Sequence, residues 1–327
     1  MKILVTGGTG FTGKALVKRL LNDGHEVTAL DYKSGHNTFE LKDWGSNVAI
    51  GTVADKATVE RCVNGMDIVY HLAASFRELD VSRAHYDEVN VGGTQNVLEA
   101  AYDAKVKKFI YCSTCGVHGN VDNPPAGESA PIQPADYYQR SKYAAEPLVK
   151  KFFEKGMPTT ILRPAGIYGP GDPERLFMIY KRVAKGFFPM FGSGKTLYHT
   201  LYIDNLTDAF VLAMQEGRGD GQTYLIADEE FVEIEDLVRR VAKAMNTEVR
   251  IPHFPLFPLI IAGHLFEKVC TPLGISPPIF PRRVDWYRQN RAFKIDKAKR
   301  ELGYDPAVDL DKGLRATYEW YRQEGYL

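Results

Sequence analysis

The chain opens on KILVT, an apolar run lacking the period-two polarity of a half-exposed strand, as expected of a strand buried on both faces. Helical spacing takes over at Phe11, Ala15, Leu16, Arg19 and Leu20, and Gly24 closes that helix. EVTALD supplies a second strand. The alternation continues to about residue 165. VAIG, DIVYHLAA, KKFIYCST and PTTILRP read as strands, KATVERCVNG and VGGTQNVLEAAYDAK as helices. A further helix is predicted over YYQRSKYAAEPLVKKFFEKG, with Ala144, Leu148 and Phe152 at helical spacing and Gly156 as its stop. Such alternation predicts an α/β fold with a parallel sheet and right-handed crossovers.

Beyond residue 165 the pattern loosens. Gly and Pro crowd into GIYGPGDPE, KGFFPMFGSGK, IPHFPLFPL and GISPPIFPRR, between the helical stretches LTDAFVLAMQ, EIEDLVRRVAKAM and LDKGLRATYEWYRQ. The expected organisation is a doubly wound sheet domain over 1–165 and a smaller, irregular α/β lobe over 166–327, lying across the carboxyl ends of the strands. No low-complexity linker separates the two, so they are expected to be knit together.

TGGTGFTG joins the first strand to the first helix and places Gly7, Gly10 and Gly13 in the turn, with Phe11 and Thr12 between them. Such glycines let the backbone approach a pyrophosphate, and the helix amino terminus offers unpaired N–H groups and a positive dipole end. Asp31 ends the second strand. A carboxylate there accepts hydrogen bonds from ribose hydroxyls and repels a 2′-phosphate, so NAD is expected over NADP. Lys33 and Ser34 stand close enough to soften that preference.

DYYQRSKYAAE carries two adjacent tyrosines. Residues four apart share a helix face, so Tyr138 stacks over Lys142 and Tyr137 over Ser141. Tyr138 is the only tyrosine of the chain with lysine at the fourth following position. A phenol of pKa about 10 is a poor base near neutrality. An ammonium group and an oxidised nicotinamide both favour the phenolate, which equips Tyr138 to exchange a proton with a substrate alcohol. Lys142 is also placed to hold the nicotinamide ribose. Thr114, at the end of the strand KKFIYCST, is the candidate donor to the substrate oxygen.

Apolar residues make up 44% of the chain, enough for a sizeable core, and 41 basic residues balance 41 acidic ones. Zero net charge argues against nucleic acid or an anionic membrane recruited by bulk charge, leaving a small-molecule substrate. MKILVTGG reads as a strand start rather than a signal peptide, and no apolar run reaches the roughly 18 residues of a membrane span. Four cysteines are too few for a disulfide framework, so a reducing cytoplasm is expected. CSTC at 112–115 has redox spacing, yet it ends a strand and lacks the second pair of a zinc site; no metal is expected.

Together, TGGTGFTG, HLAA, NVGGTQNVLEAA, YCSTCGVHG, YYQRSK and LRPAGIYGPGD resemble the extended short-chain dehydrogenase/reductase superfamily. That group includes nucleotide-sugar epimerases and dehydratases, 3β-hydroxysteroid dehydrogenases and dihydroflavonol reductases. The resemblance runs nearly the whole chain, through RAFKIDKAKRELGYDP. It implies a Rossmann-type fold, bound NAD, a catalytic trio of Thr114, Tyr138 and Lys142, and a homodimer formed through helices of the sheet domain. It further implies cofactor contacts at Gly7, Gly10, Phe11, Thr12, Gly13, Asp31, Ala73 and Pro164. Asn90 matches the family's buried asparagine near the active site, a position that equally suits tying a helix to a strand.

Departures from the family pattern narrow the substrate. Cys115 and Gly116 follow Thr114 where 4,6-dehydratases carry an acidic pair. Gly166 stands where many nucleotide-sugar epimerases carry asparagine, and Tyr198, beside His199, where many carry an arginine that grips the pyrophosphate. Lys195, Arg282, Arg283, Arg288 and Arg291 are the cations available to compensate. The apolar segment IPHFPLFPLIIAGHLFEKVCTPLGISPPIF resembles the steroid-dehydrogenase branch. It suits a substrate lid or a membrane-surface contact, although a helix packed within the lobe is the favoured reading. The expected activity is hydride transfer between NAD and a secondary alcohol or ketone of a bulky, partly apolar substrate. The alternatives are a UDP- or TDP-sugar epimerase with the same trio and a non-catalytic NAD-binding sensor.

Overall fold

The computed structural model describes residues 1–76, 81–172, 175–270 and 284–327. The sheet domain runs β1 (Lys2–Thr6), α1 (Phe11–Asn22), β2 (Glu26–Asp31), α2 (His36–Asp43), β3 (Asn47–Ile50), α3 (Lys56–Val63) and β4 (Ile68–His71). It continues with α4 (Arg83–Tyr86), a π-helical turn (Asp87–Gly92), α5 (Gly93–Asp103), β5 (Lys108–Cys112), a 3₁₀ turn (Cys115–His118), α6 (Tyr137–Glu154) and β6 (Thr159–Pro164). The remainder contains β7 (Gly166–Tyr168), α7 (Phe177–Val183), β8 (Met190–Phe191), β9 (Leu197–Tyr202), α8 (Ile203–Ala213) and β10 (Thr223–Ile226). β11 (Phe231–Glu233), α9 (Ile234–Ala244), β12 (His253–Phe254), α10 (Leu256–Cys270) and α11 (Leu310–Gln323) complete it.

Seven parallel strands form the main sheet in the order β10-β6-β5-β4-β1-β2-β3. This is the doubly wound α/β architecture that the alternating pattern predicts. Its strands are continuous apolar runs because helices cover both faces: β4 is buried throughout, and Ile3, Val5 and Ile110 sit in one core while Leu4, Val69 and Phe109 sit in another. The order reverses between β1 and β4, which opens a crevice at the carboxyl ends of the strands. One strand from beyond residue 165, β10, returns to edge this sheet. The other strands of the second half make small sheets, β11-β9-β7 and β12-β8.

Two sequence expectations shift. Helix α6 buries Ala145, Val149 and Phe152, whereas Ala144 is exposed and Leu148 only half-buried. The apolar stripe misplaced the face because Ser141, Lys142 and Glu146, three polar residues, share the buried side. The helix α10 is not packed as favoured: Phe257, Ile261, Leu265 and Val269 are 50–69% exposed. The rest of that apolar segment, with Arg282 and Arg283, lies outside the described residues. No helix among the described residues is long and apolar enough to cross a membrane.

Candidate active site

A cavity of about 1210 Å³ lies at the carboxyl ends of β1, β4, β5 and β6 and is closed on its other side by β7, β9 and α11. Its floor is the glycine turn. Gly7 adopts φ +70°, and a Cβ there would sit 2.8 Å from the Ala73 nitrogen. A Cβ on Gly13 would overlap the Gly7 carbonyl oxygen. α1 therefore begins tight against the strand ends, and its N-cap, Gly10, provides no side-chain hydrogen bond to the first turn. Gly7, Gly10, Phe11, Thr12 and Gly13 all line the cavity.

Asp31 lies just behind this floor. Its Oδ2 accepts from the Thr9 amide (3.0 Å) and hydroxyl (2.6 Å), and its Oδ1 from the Tyr32 amide (2.8 Å). Asp31 is buried and absent from the cavity wall, and these bonds brace the glycine turn. Asp31→Ala is expected to weaken NAD and raise the NADP-to-NAD ratio of kcat/KM. An unchanged ratio would remove Asp31 from cofactor choice.

Ala73 also sits behind the wall, its amide donating to Thr6 Oγ1 (3.2 Å), while Leu72 and Ala74 on either side face the cavity. Asn90, fully buried in the π-helical turn, bonds the Ser75 amide (2.8 Å) and carbonyl (3.2 Å) and donates to Ser141 Oγ (2.8 Å). Ser141 in turn donates to the Tyr138 carbonyl (2.8 Å). Asn90 thus ties the loop after β4 to helix α6 and lines no cavity.

The two tyrosines separate cleanly. Tyr137 donates its hydroxyl to Asp87 Oδ2 (2.6 Å) outside the cavity, and that bond holds its pKa above the usual phenol value. Tyr138 lines the cavity, its ring 4.7 Å from that of Phe76. Lys142, one turn on, is 1% exposed and sits 4.2 Å from the centre of the Tyr111 ring. Its Nζ has no hydrogen-bond partner among the described residues. Burial pulls its pKa down to about 8, against opposing pulls from Cys112 and Glu146. Thr114 lines the same cavity, where its Oγ1 accepts from the Gly116 amide (3.1 Å) and so keeps its own proton to donate. Thr114, Tyr138, Lys142 and Pro164 all line this one cavity.

Beneath that wall lies a buried ion pair. Arg163 on β6 grips Glu146 with two bonds (2.9 and 2.6 Å), Ser113 donates to the same carboxylate (2.6 Å), and Arg163 Nη1 meets His118 Nε2 at 3.0 Å. Burial lowers the His118 pKa, so Nε2 accepts while Nδ1 donates to the Pro131 carbonyl (3.2 Å). The network fixes β5, β6 and α6 where Thr114 and Lys142 leave them. Burial pushes the thiols of Cys112 and Cys115 up to about 11, which makes both poor nucleophiles.

The far wall resolves the substrate-side candidates. Gly166 and Tyr198 both line it and touch: a Cβ at 166 would overlap the Tyr198 hydroxyl and come within 2.8 Å of its Cζ. Tyr198 therefore fills the space that a side chain at 166 would need. His199 is neutral, its pKa pulled to about 4 by burial, with Nε2 donating to the Asp228 carbonyl and Nδ1 accepting from the Phe293 amide. Lys195 is exposed away from the cavity, and Arg288 is paired with Asp285 (2.6 Å), whereas Arg291 lines the cavity. Arg175, Gln139 and Phe76 also line it and were missed from sequence. Arg175 stands in an aperiodic loop after GPGD, where no spacing signals its direction.

These features suit a dinucleotide: an uncapped helix start over a tight glycine turn, and a buried ammonium lacking a hydrogen-bond partner among the described residues. Fold and cavity define a doubly wound α/β enzyme that works on a nucleotide cofactor. Residues 3–227 match the model of the NAD dependent epimerase/dehydratase family, and the chain belongs to that family; NAD is its cofactor. It is 31% identical over 97% of its length to 3beta-hydroxysteroid-dehydrogenase/decarboxylase isoform 2 of Arabidopsis thaliana, and spans 61% of that protein. It is 31% identical to 2-alkyl-3-oxoalkanoate reductase of Stenotrophomonas maltophilia, over 96% of this chain and 98% of that one. The structure superposes on UDP-glucose 4-epimerase of Thermotoga maritima with a TM-score of 0.80 and 26% identity, covering 99% of each chain.

Proposed function

We propose that the protein is an NAD-dependent dehydrogenase or reductase of a secondary alcohol or ketone on a bulky, partly apolar molecule. The observation that carries this reading is that Thr114, Tyr138 and Lys142 line one cavity, with Tyr137 engaged elsewhere by Asp87. NAD, when bound, supplies or accepts the hydride. Tyr138 exchanges the proton of the substrate oxygen, Thr114 donates a hydrogen bond to that oxygen, and Lys142 holds the ribose while its charge favours the phenolate. The hydroxysteroid dehydrogenase and oxoalkanoate reductase relatives support a substrate of this kind.

A sugar-nucleotide epimerase has the support of the structural likeness to the Thermotoga enzyme. Gly166 and Tyr198 weigh against it, since they stand where many such epimerases carry asparagine and arginine, and a Cβ at 166 would overlap the Tyr198 hydroxyl. We place the enzyme in a reducing cytoplasm, with its four cysteines free, and as a homodimer through the sheet-domain helices. With NAD and long-chain or sterol-type secondary alcohols, NADH absorbance should rise. Epimerisation of UDP- or TDP-sugars with no turnover of such alcohols would overturn the reading.

A further inference from the structure

We propose that Tyr111 is the positioning residue for Lys142: the face of its ring holds the ammonium group where a hydrogen-bond acceptor would otherwise stand. The inference rests on the dehydrogenase reading for the role of Lys142 and adds what keeps that lysine in place. Lys142 Nζ lies 4.2 Å from the centre of the Tyr111 ring and has no hydrogen-bond partner among the described residues. Tyr111 grips the same residue at a second point, because its hydroxyl donates to the Lys142 carbonyl (3.1 Å). The tyrosine is itself fixed. It is fully buried on β5, directly across the ladder from His71 on β4, and the two rings stack with centres 5.8 Å apart.

The neighbouring titratable groups are engaged elsewhere or uncharged. Glu146, one turn on along α6, is occupied: Oε1 accepts from Ser113 (2.6 Å) and Arg163 Nε (2.9 Å), and Oε2 from Arg163 Nη2 (2.6 Å). Cys112 on β5 stays a neutral thiol near neutrality, since burial pushes its pKa up to about 11. His71 stays neutral as well. Thr94 donates its hydroxyl proton to the Asn90 carbonyl (2.6 Å) and so accepts from His71 Nε2 (2.9 Å), while His71 Nδ1 accepts from Thr6 (2.7 Å). Burial and then the Lys142 charge lower the His71 pKa. Tyr138, one turn back on α6, faces the same cavity. It is the phenol whose ionisation the Lys142 charge assists. A ring face attracts a cation through its quadrupole and takes up none of its strong hydrogen bonds. The N–H groups of Lys142 therefore stay available for ribose hydroxyls, while its charge is kept on the helix face it shares with Tyr138.

The test reads the titration of Lys142 directly, by NMR of protein isotope-labelled at lysine Cε, with Lys142→Met to identify the signal. Tyr111→Phe keeps the ring and loses the hydroxyl, whereas Tyr111→Leu loses both. Without the ring the charged form is less favoured, so the lysine should lose its proton at lower pH. In Tyr111→Leu its pKa should fall by roughly 0.5–1.5 pH units, the range of a cation–π contact. In Tyr111→Phe it should stay close to that of the unaltered protein. The high-pH loss of kcat/KM for alcohol oxidation should move down with it in the leucine variant and not in the phenylalanine one. Tyr111→Met takes the place of the leucine variant if the latter does not fold. A Lys142 pKa that is unchanged or higher without the ring, or that falls equally in Tyr111→Phe, would defeat the proposal. Because the titration is read without substrate, a lowered pKa in a protein that oxidises no alcohol would sink the dehydrogenase reading alone.

Discussion

Tyr138→Phe is expected to lower turnover by on the order of 100-fold or more while NAD still binds, because the variant keeps the ring and loses only the proton carrier. Tyr137→Phe should change turnover by little, since its hydroxyl is spent on Asp87 outside the cavity. The two substitutions remove the same atom from adjacent residues, so general damage to α6 would depress both. Steady-state rates and NAD titration of both variants decide it, and equal losses would mean that the proton passes through neither tyrosine specifically. Lys142 bears on the same experiment. With a pKa near 8 it is largely protonated at neutral pH, and its charge is lost as pH rises through that value.

Arg163→Met is expected to cost about 3–5 kcal/mol of stability, because it strands the Glu146 carboxylate in a site where that side chain is 1% exposed. Glu146→Leu should cost a similar amount by stranding the guanidinium. The double change should cost less than either single one, since two apolar side chains leave no charge uncompensated. Denaturant titration of the three variants measures this. Losses below about 1 kcal/mol for both singles would show that the pair is not the brace between β6 and α6. Ser113 shares the carboxylate, so loosening it should also blur the position of Thr114.

Much of this was legible in the chain because the signals are local. The glycine turn, the continuous strands and the four-residue step from Tyr138 to Lys142 each depend on neighbours close in sequence. The Arg163–Glu146–Ser113–His118 network joins four segments, and periodicity carries no trace of it. Its Glu146 shares the buried face of α6 with Ser141 and Lys142, which is why Ala144 and Leu148 were read as core in place of Ala145 and Val149. Asp31 and Ala73, expected at the cofactor, also have partners distant in sequence, Thr9 and Thr6, that no local pattern announces. Helix α2 was missed because it is short and mostly polar, with no clear apolar face.

The contact between Gly166 and Tyr198 constrains how this cavity can change over generations. A branched or amide side chain at 166 meets the phenol ring, so a drift toward sugar-nucleotide handling at that site alone passes through a misfitted ancestor. Shrinking 198 first opens a void in the cavity wall that the glycine at 166 does not fill. The two positions are expected to have been inherited as a linked pair, replaced together or not at all.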